Sequence, residues 1–401
     1  MQTPGKSPNP DTAKRQRREP AVIAGLGAVT GYGWGRQPLW EGLLSGEHAA
    51  RQVPGFGVDG DELGWVTRVP ESGDAEVSSA VYDRAIQESA REAVADATAR
   101  GWQPGRRVGL LHAIVLGATY DWAQFYGEEG GRRGSRGFLR MIPSTPNLNI
   151  MAEHGFHGPA MSLMAACSSA NAALITAQMW LETGYADDVV VVSSDLSAIP
   201  PIVQPFVKLG AAVTDTDPLD ACRPFQVGSR GFGFGEASMA FVVSRGAARP
   251  YARILGGSMS NDAYHAISVA PTHEEILNCV YEALACSGVT PEDIALFNSH
   301  GSGTQQCDEA EIALLDKVFG NRPQAVAIKP LTGHCQGASG AVEIAAGLLG
   351  YEHGLTVSAP IISAEHHPRL VDGAVPGSDG LTLKLALGMG GNNSALVLAP
   401  A

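Results

Sequence analysis

The sequence is poor in lysine, in aromatic residues and in long apolar runs. Only six of its 28 basic residues are lysines, and aromatic residues make up 6% of the chain. No apolar run approaches the ~18 residues that a membrane-spanning helix needs, so no spanning helix is expected. The opening stretch, MQTPGKSPNPDTAKRQRREP, has basic residues and prolines but no apolar core, which argues against a secretory signal. Residues 1–20 read as a disordered tail. The six cysteines, Cys167, Cys222, Cys279, Cys286, Cys307 and Cys335, include no CxxC pair and no zinc-ligand spacing. Neither a disulfide framework nor a metal site is therefore expected; the thiols read as reduced and the location as cytoplasmic. A net charge of −13 argues against nucleic acid as the main partner.

What the chain does have is glycine and small apolar residues: 49 glycines and 44% hydrophobic content in 401 residues, enough for two domains or one large double unit. AVIAGLGAVTGYGWG (21–35) is a short apolar strand running into a glycine loop. Its glycines do not form a dinucleotide fingerprint, because Gly27 to Gly31 is one residue too long and no acid follows at the expected distance. Further strands are read at 106–117, 187–195, 251–260, 293–300 and 324–329. Helices are read at 81–100, 273–288, 308–320 and 338–354, and a closing strand pair surrounds GMGG (388–391). Alternating strands and helices predict an α/β fold. It is read as two similar βαβα halves, 21–248 and 249–401, forming a layered α-β-α-β-α core.

Ligands of open α/β sheets gather at the carboxyl ends of strands. Three polar segments lie at such places: AACSS (165–169), HGSGTQQCDEAE (300–311) and KPLTGHCQGASGAVE (329–343). Cys167 reads as standing in the first turn of an alanine-rich helix, where a helix N-terminus lowers a thiol pKa and its amides can hold an oxyanion. Taken alone, a buried cysteine is usually structural. His300 and His334 each sit beside a glycine in matching strand-end loops of one half, which strengthens the case for a joint site. Cys222, Cys279 and Cys286 read as packing or surface thiols, and so, in the main, do Cys307 and Cys335.

These segments, in this order, resemble those of the elongating β-ketoacyl synthases of the thiolase fold, including ketosynthases of type II polyketide and fatty-acid-like systems. AACSS resembles the family's nucleophile segment. The other two resemble HGTGTxxGDxxE and KxxxGHxxGAxGxxE. RPFQVGSRGFGFGEAS (223–238), NDAYH (261–265) and GMGGNNSALVL (388–398) resemble further family segments. The likeness runs from Ala21 to Leu398.

The resemblance implies an acyltransferase of the 3-oxoacyl-[acyl-carrier-protein] synthase type. Cys167, His300, His334 and Lys329 would be its catalytic set. The amides of Cys167 and Met389 would form the oxyanion hole, with Met389 also gating the acyl pocket. Glu343, Asp308 and Glu311 would support the site, the last two by positioning the His300 loop. No cofactor or metal is implied, since the substrates are phosphopantetheine thioesters. The implied partners are an acyl carrier protein and, in a dimer, either a second copy or a chain-length-factor-like ketosynthase; no nucleic acid or membrane is implied. The carrier is acidic, so a local basic patch should guide it. Arg132, Arg133, Arg136 and Lys208 are the candidates, with Arg140 nearby.

Several positions depart from the family pattern. Met389 stands in place of a phenylalanine, Cys307 in place of a glycine, and Ala165 in place of a frequent threonine. Gln226, Ser229 and Arg230 replace the usual charged set. These departures point to specialised rather than housekeeping metabolism. They keep two alternatives in view: transfer of the acyl chain without decarboxylation, and a non-catalytic dimer partner.

Overall fold

The computed structural model of the chain describes residues 19–57, 62–78, 80–117, 119–127, 135, 138–139, 142 and 144–401. All but the end of the expected tail lies outside the described residues, as do Arg132, Arg133, Arg136 and Arg140. The strands are β1 (Ala21–Thr30), β2 (Gly33–Trp34), β3 (Arg51–Pro54), β4 (Leu63–Val66), β5 (Val108–Ala113), β6 (Ala160–Leu163), β7 (Asp188–Asp195), β8 (Ala237–Ser244), β9 (Ala252–Asn261), β10 (Ile294–Asn298), β11 (Gln324–Val326), β12 (Leu355–Val357), β13 (Ala374–Pro376), β14 (Leu381–Gly388) and β15 (Asn392–Pro400).

Ten of these strands follow one path, β11-β10-β14-β15-β9-β1-β8-β7-β5-β6, with β2 paired to β1. The path is two copies of one pattern. In the order β1-β8-β7-β5-β6 the successive pairings are antiparallel, antiparallel, parallel and parallel. The order β9-β15-β14-β10-β11 repeats them. The copies meet where Ala21–Ile23 of β1 pairs with Ala252–Ile254 of β9.

Helices fill the three remaining layers. Helix Val81–Ala99 covers the outer face of the first copy, packing on β1, β5, β7 and β8. Helices Glu274–Ser287 and Gln305–Phe319 cover the second copy. Between the copies lie helices Ser169–Thr183 and Ser339–His353. Over most of their length these middle helices are buried against protein, emerging only toward their C-terminal ends at Met179 and Thr183 and at Glu352 and His353, which accounts for their alanine and glycine content. β7 shows why its valine run is continuous: Val189 and Val191 face the middle layer, and Val190 and Val192 face the outer helix.

The glycines of β1 serve close packing. A Cβ on Gly27 would lie 1.9 Å from the Ser89 carbonyl oxygen, and one on Gly25 2.2 Å from that of Ala93. The outer helix thus rests directly on the strand backbone.

Several elements differ from the sequence reading. The strands expected at 106–117 and 293–300 shorten to Val108–Ala113 and Ile294–Asn298. The strand expected at 324–329 ends at Val326, because Lys329 opens a short helix, Lys329–Thr332, with Pro330 in its first turn. The helix expected at 308–320 starts at Gln305. β8, fully buried and paired along β1, was not read as a separate strand.

Candidate active site

Cys167 lies two residues before its helix rather than within the first turn: Ser168, the N-cap of Ser169–Thr183, stands between. Ala166 has φ +48°, a left-handed conformation that a residue with a Cβ adopts only when its surroundings enforce it. The two serines of AACSS do this. Ser168 Oγ donates to the Ala165 carbonyl at 2.7 Å and Ser169 Oγ to the Ala166 carbonyl at 2.6 Å, while the Ala165 amide donates to Ser169 Oγ at 2.8 Å. The turn is therefore closed by its own sequence.

The expected lowering of the Cys167 thiol pKa is reversed. Burial pushes the thiol up to about 12, and the charge of Lys329 and the Met389 amide pull the other way without prevailing. The end of β14 presses against this turn. A Cβ on Gly388 would sit 2.9 Å from the Ala165 carbonyl oxygen and 3.1 Å from the Cys167 nitrogen, so a glycine lets the Met389 amide reach the sulfur.

His300 follows β10, and His334 precedes helix Ser339–His353; both are buried. Their rings meet edge to face at a centroid distance of 5.6 Å. His334 Nδ1 accepts from the Gln336 amide at 3.0 Å and lies 2.9 Å from Ser339 Oγ. Accepting an amide proton fixes the neutral tautomer with its proton on Nε2. The His334 backbone pairs with the glycine-rich segment, donating to the Gly233 carbonyl at 2.7 Å and accepting from the Gly235 amide at 3.0 Å. The Phe232 ring lies 4.6 Å from the imidazole. Burial, and then the charge of Lys329, hold both histidines well below the ordinary imidazole pKa.

A buried ion network lies behind the histidines. Lys329 Nζ donates to the His300 carbonyl and to Glu343 Oε1. Glu311 accepts the amides of His300 and Gly301 at 2.6 and 2.9 Å. Asp308 accepts instead from the Phe225 amide at 3.1 Å, bracing a residue with φ +62°. Of the two acids expected at the His300 loop, Glu311 thus holds that loop and Asp308 holds the RPFQ segment. Burial pushes both carboxyls up to about 7.

The departures from the family pattern have partners of their own. Gln226 Oε1 accepts the amides of Ile362 and Ser363, Ser229 Oγ donates to the Gly303 carbonyl, and Arg230 pairs with Asp215. Cys222, Cys279 and Cys335 are buried, Cys307 is half-buried and Cys286 is exposed. Lys208 is exposed at the end of helix Pro200–Lys208. Among the described residues no cluster of His, Cys, Asp and Glu could hold a metal ion, and no helix is long and apolar enough to cross a membrane.

Two residues at the site were not picked out from the sequence. Asp195, at the end of β7, accepts the amides of Val115, Leu116 and Gly337, tying the loop after β5 to the turn after His334. Lys384, on β14, is fully buried and pairs with Glu343 Oε2.

Comparison with known proteins gives a consistent picture. The N-terminal domain model of β-ketoacyl synthases matches residues 18–248, and the C-terminal domain model matches 251–361. The chain is 29% identical over 379 residues to the ketoacyl synthase alpha subunit of the tetracenomycin polyketide synthase of Streptomyces glaucescens, covering 85% of this chain and 87% of the relative. It is 26% identical over 406 residues to 3-oxoacyl-[acyl-carrier-protein] synthase 2 of Coxiella burnetii, covering 94% and 98%. A ketosynthase from Xenorhabdus doucetiae, solved in complex with its chain length factor, shares the fold with a TM-score of 0.83 at 21% identity, covering 96% and 98% of the two chains.

Proposed function

The chain belongs to the β-ketoacyl synthase family, and from that premise we propose that it joins a carrier-bound acyl group to a malonyl-type carrier thioester by decarboxylative Claisen condensation, in bacterial specialised polyketide or fatty-acid-like biosynthesis. In the first step the Cys167 sulfur attacks the acyl thioester. A new S–acyl bond forms, the carrier's S–acyl bond breaks, and the thiol proton ends on the departing carrier thiol. In the second step the malonyl carboxylate leaves as carbon dioxide, and its bonding electrons form an enolate. The enolate carbon then attacks the acyl-Cys167 carbonyl, the S–acyl bond breaks, and a 3-ketoacyl carrier departs while the Cys167 thiolate takes up a proton from solvent.

The observation that carries this reading is the buried, neutral His300–His334 pair in a chain that also buries Cys167 at a helix start. Neutral N–H donors suit an enolate whose charge appears only during reaction. His300 and His334 hold the malonyl thioester oxygen, and the amides of Cys167 and Met389 hold the oxyanion of the second attack. Lys329, Glu343, Glu311 and Asp308 position these groups.

Arg132, Arg133 and Arg136, together with the exposed Lys208, are the docking residues for an acidic acyl carrier protein, and neutralising them raises the apparent KM for carrier-bound substrate. The chain works as a dimer with itself or with a chain-length-factor-like ketosynthase. β6 ends the sheet path, and Met161 on it is 42% exposed and Met164 just beyond it 65% exposed, an open edge for a partner.

The test is intact-mass analysis with acyl-carrier followed by malonyl-carrier. An acyl adduct, carbon dioxide and a 3-ketoacyl product together establish condensation. An adduct passed on without carbon dioxide supports simple acyl transfer, the reading that the altered Met389 and Gln226 positions keep open. A chain that takes no adduct is a non-catalytic partner.

A further inference from the structure

Within that condensation reading, on which this inference rests, we infer that Lys384 is a second positioning cation of the site: it ties the carbonyl preceding His300 to Glu343 and to the strand leading into the Met389 turn, and so keeps the histidine pair fixed and uncharged while carbon dioxide leaves. Lys384 is fully buried on β14. Its Nζ donates to the Ser299 carbonyl at 2.7 Å and to the Leu385 carbonyl at 2.6 Å, and pairs with Glu343 Oε2. Two of the three ammonium donors go to these carbonyls and the charge rests against Glu343, while full burial keeps the group from a substrate, so it acts through its neighbours.

Those neighbours are the working parts of the site. Glu343 divides its two oxygens between Lys329 and Lys384. Lys329 donates to the His300 carbonyl and Lys384 to the Ser299 carbonyl, so consecutive carbonyls are each held by a different lysine around one carboxylate. The same side chain anchors β14 four residues before Gly388, the glycine whose close approach lets the Met389 amide reach Cys167.

Stability alone does not account for this arrangement. Taking two ammonium groups out of water is costly, and an apolar residue of similar volume usually stabilises a core as well or better. Yet a chain with six lysines buries two of them on one glutamate. The electrostatic result bears on the histidines. His300 faces Lys329, Lys384 and His334, with Glu311 at its own amide and Glu343 behind the lysines. His334 faces Lys329 and Lys384. Each lysine charge disfavours an imidazolium. Burial and Lys329 pull the Lys384 ammonium down to about 8 against the pull of Glu343, so it is still largely charged at neutral pH.

The test uses the full chain with malonyl–acyl carrier protein and two variants. Lys384→Met removes both charge and hydrogen bonds; Lys384→Gln removes the charge and keeps a donor. Both leave Glu343 paired with Lys329. The expected result is that acylation of Cys167 from acyl-carrier persists, KM for malonyl-carrier changes little, and carbon dioxide release falls about tenfold or more. With a cation gone, the imidazoles protonate more readily, so the acid limb of the kcat profile moves to higher pH in both variants. A wild-type rate and an unmoved acid limb in both would overturn the assignment. Imidazole ¹⁵N spectra of wild type and Lys384→Gln read the same quantity without turnover. They decide the role of Lys384 even if wild type takes an acyl group yet releases no carbon dioxide, the result that sinks the condensation reading instead. Should neither variant fold, wild-type spectra across pH 7 to 9 decide: imidazole signals that move as the Lys384 ammonium loses its proton near 8 support the assignment, and histidines blind to that range, or titrating ordinarily near 6.5, overturn it.

Discussion

Cys167 and His334 occupy the same place in the two copies of the sheet pattern. Each stands in the turn that enters a middle-layer helix, Ser169–Thr183 in one copy and Ser339–His353 in the other. The two turns are built differently. The cysteine turn is closed by residues within four positions of one another, at the cost of a left-handed Ala166. The histidine turn is held from afar, by Gly233 and Gly235 on its backbone, Phe232 against its ring and Asp195 at the Gly337 amide. A nucleophile needs its sulfur at a helix end with one approach open, which local strain can supply. A neutral hydrogen-bond donor needs one tautomer, which the nearby Gln336 amide sets, and a suppressed charge, which depends on groups brought in from elsewhere in the chain.

The largest expected effect removes one side of this comparison. Cys167→Ala abolishes the acyl adduct seen by intact mass while leaving the unfolding midpoint near that of wild type, because the turn's hydrogen bonds come from Ser168 and Ser169. Glu343→Gln attacks the other side. It leaves Lys329 and Lys384 without their shared carboxylate and should cost about 3–5 kcal/mol in denaturant unfolding, with carbon dioxide release lost first. Gly388→Ala strikes where the copies meet. Its Cβ would fall 2.9 Å from the Ala165 carbonyl oxygen, and the forced shift of the Met389 turn should cost about 1–3 kcal/mol, read as slower Cys167 acylation.

A pH series sharpens the contrast further. With the thiol pushed up to about 12, the reactive thiolate fraction rises tenfold per pH unit throughout the working range, so the logarithm of the acylation rate should climb with pH and show no plateau near 9. A plateau there would mean that the turn does not bury the thiol as described. Met389→Phe should be mildest, shifting preference among acyl chain lengths with less than about 1.5 kcal/mol change in stability.

Much of this was legible along the chain. The helix–strand alternation, the apolar runs of β1, β5 and β7, and the three polar strand-end segments could be read directly, because periodicity and glycine placement are local properties. The glycines of β1 could be seen not to bind a nucleotide, but their packing against Ser89 and Ala93 could not be read, since the partner lies more than sixty residues away. Lys384 was hidden by its own pattern. In LTLKLAL the leucines alternate with threonine, lysine and alanine, the signature of a strand with one face in water. Leu383, Leu385 and Leu387 do face the outer core, but Thr382, Lys384 and Ala386 are buried as well.

By itself the sequence determined which residues stand at strand ends and helix starts, and through AACSS it determined even the shape of the cysteine turn. Only the tertiary structure decided the charges: that the second face of β14 is covered, that Glu343 serves two lysines, that the histidines stay neutral and that the Cys167 thiol rests protonated. Backbone geometry follows from neighbours along the chain. A pKa depends on how completely water is excluded and on which charges remain within reach, and both are set by segments that meet only when the two copies fold together.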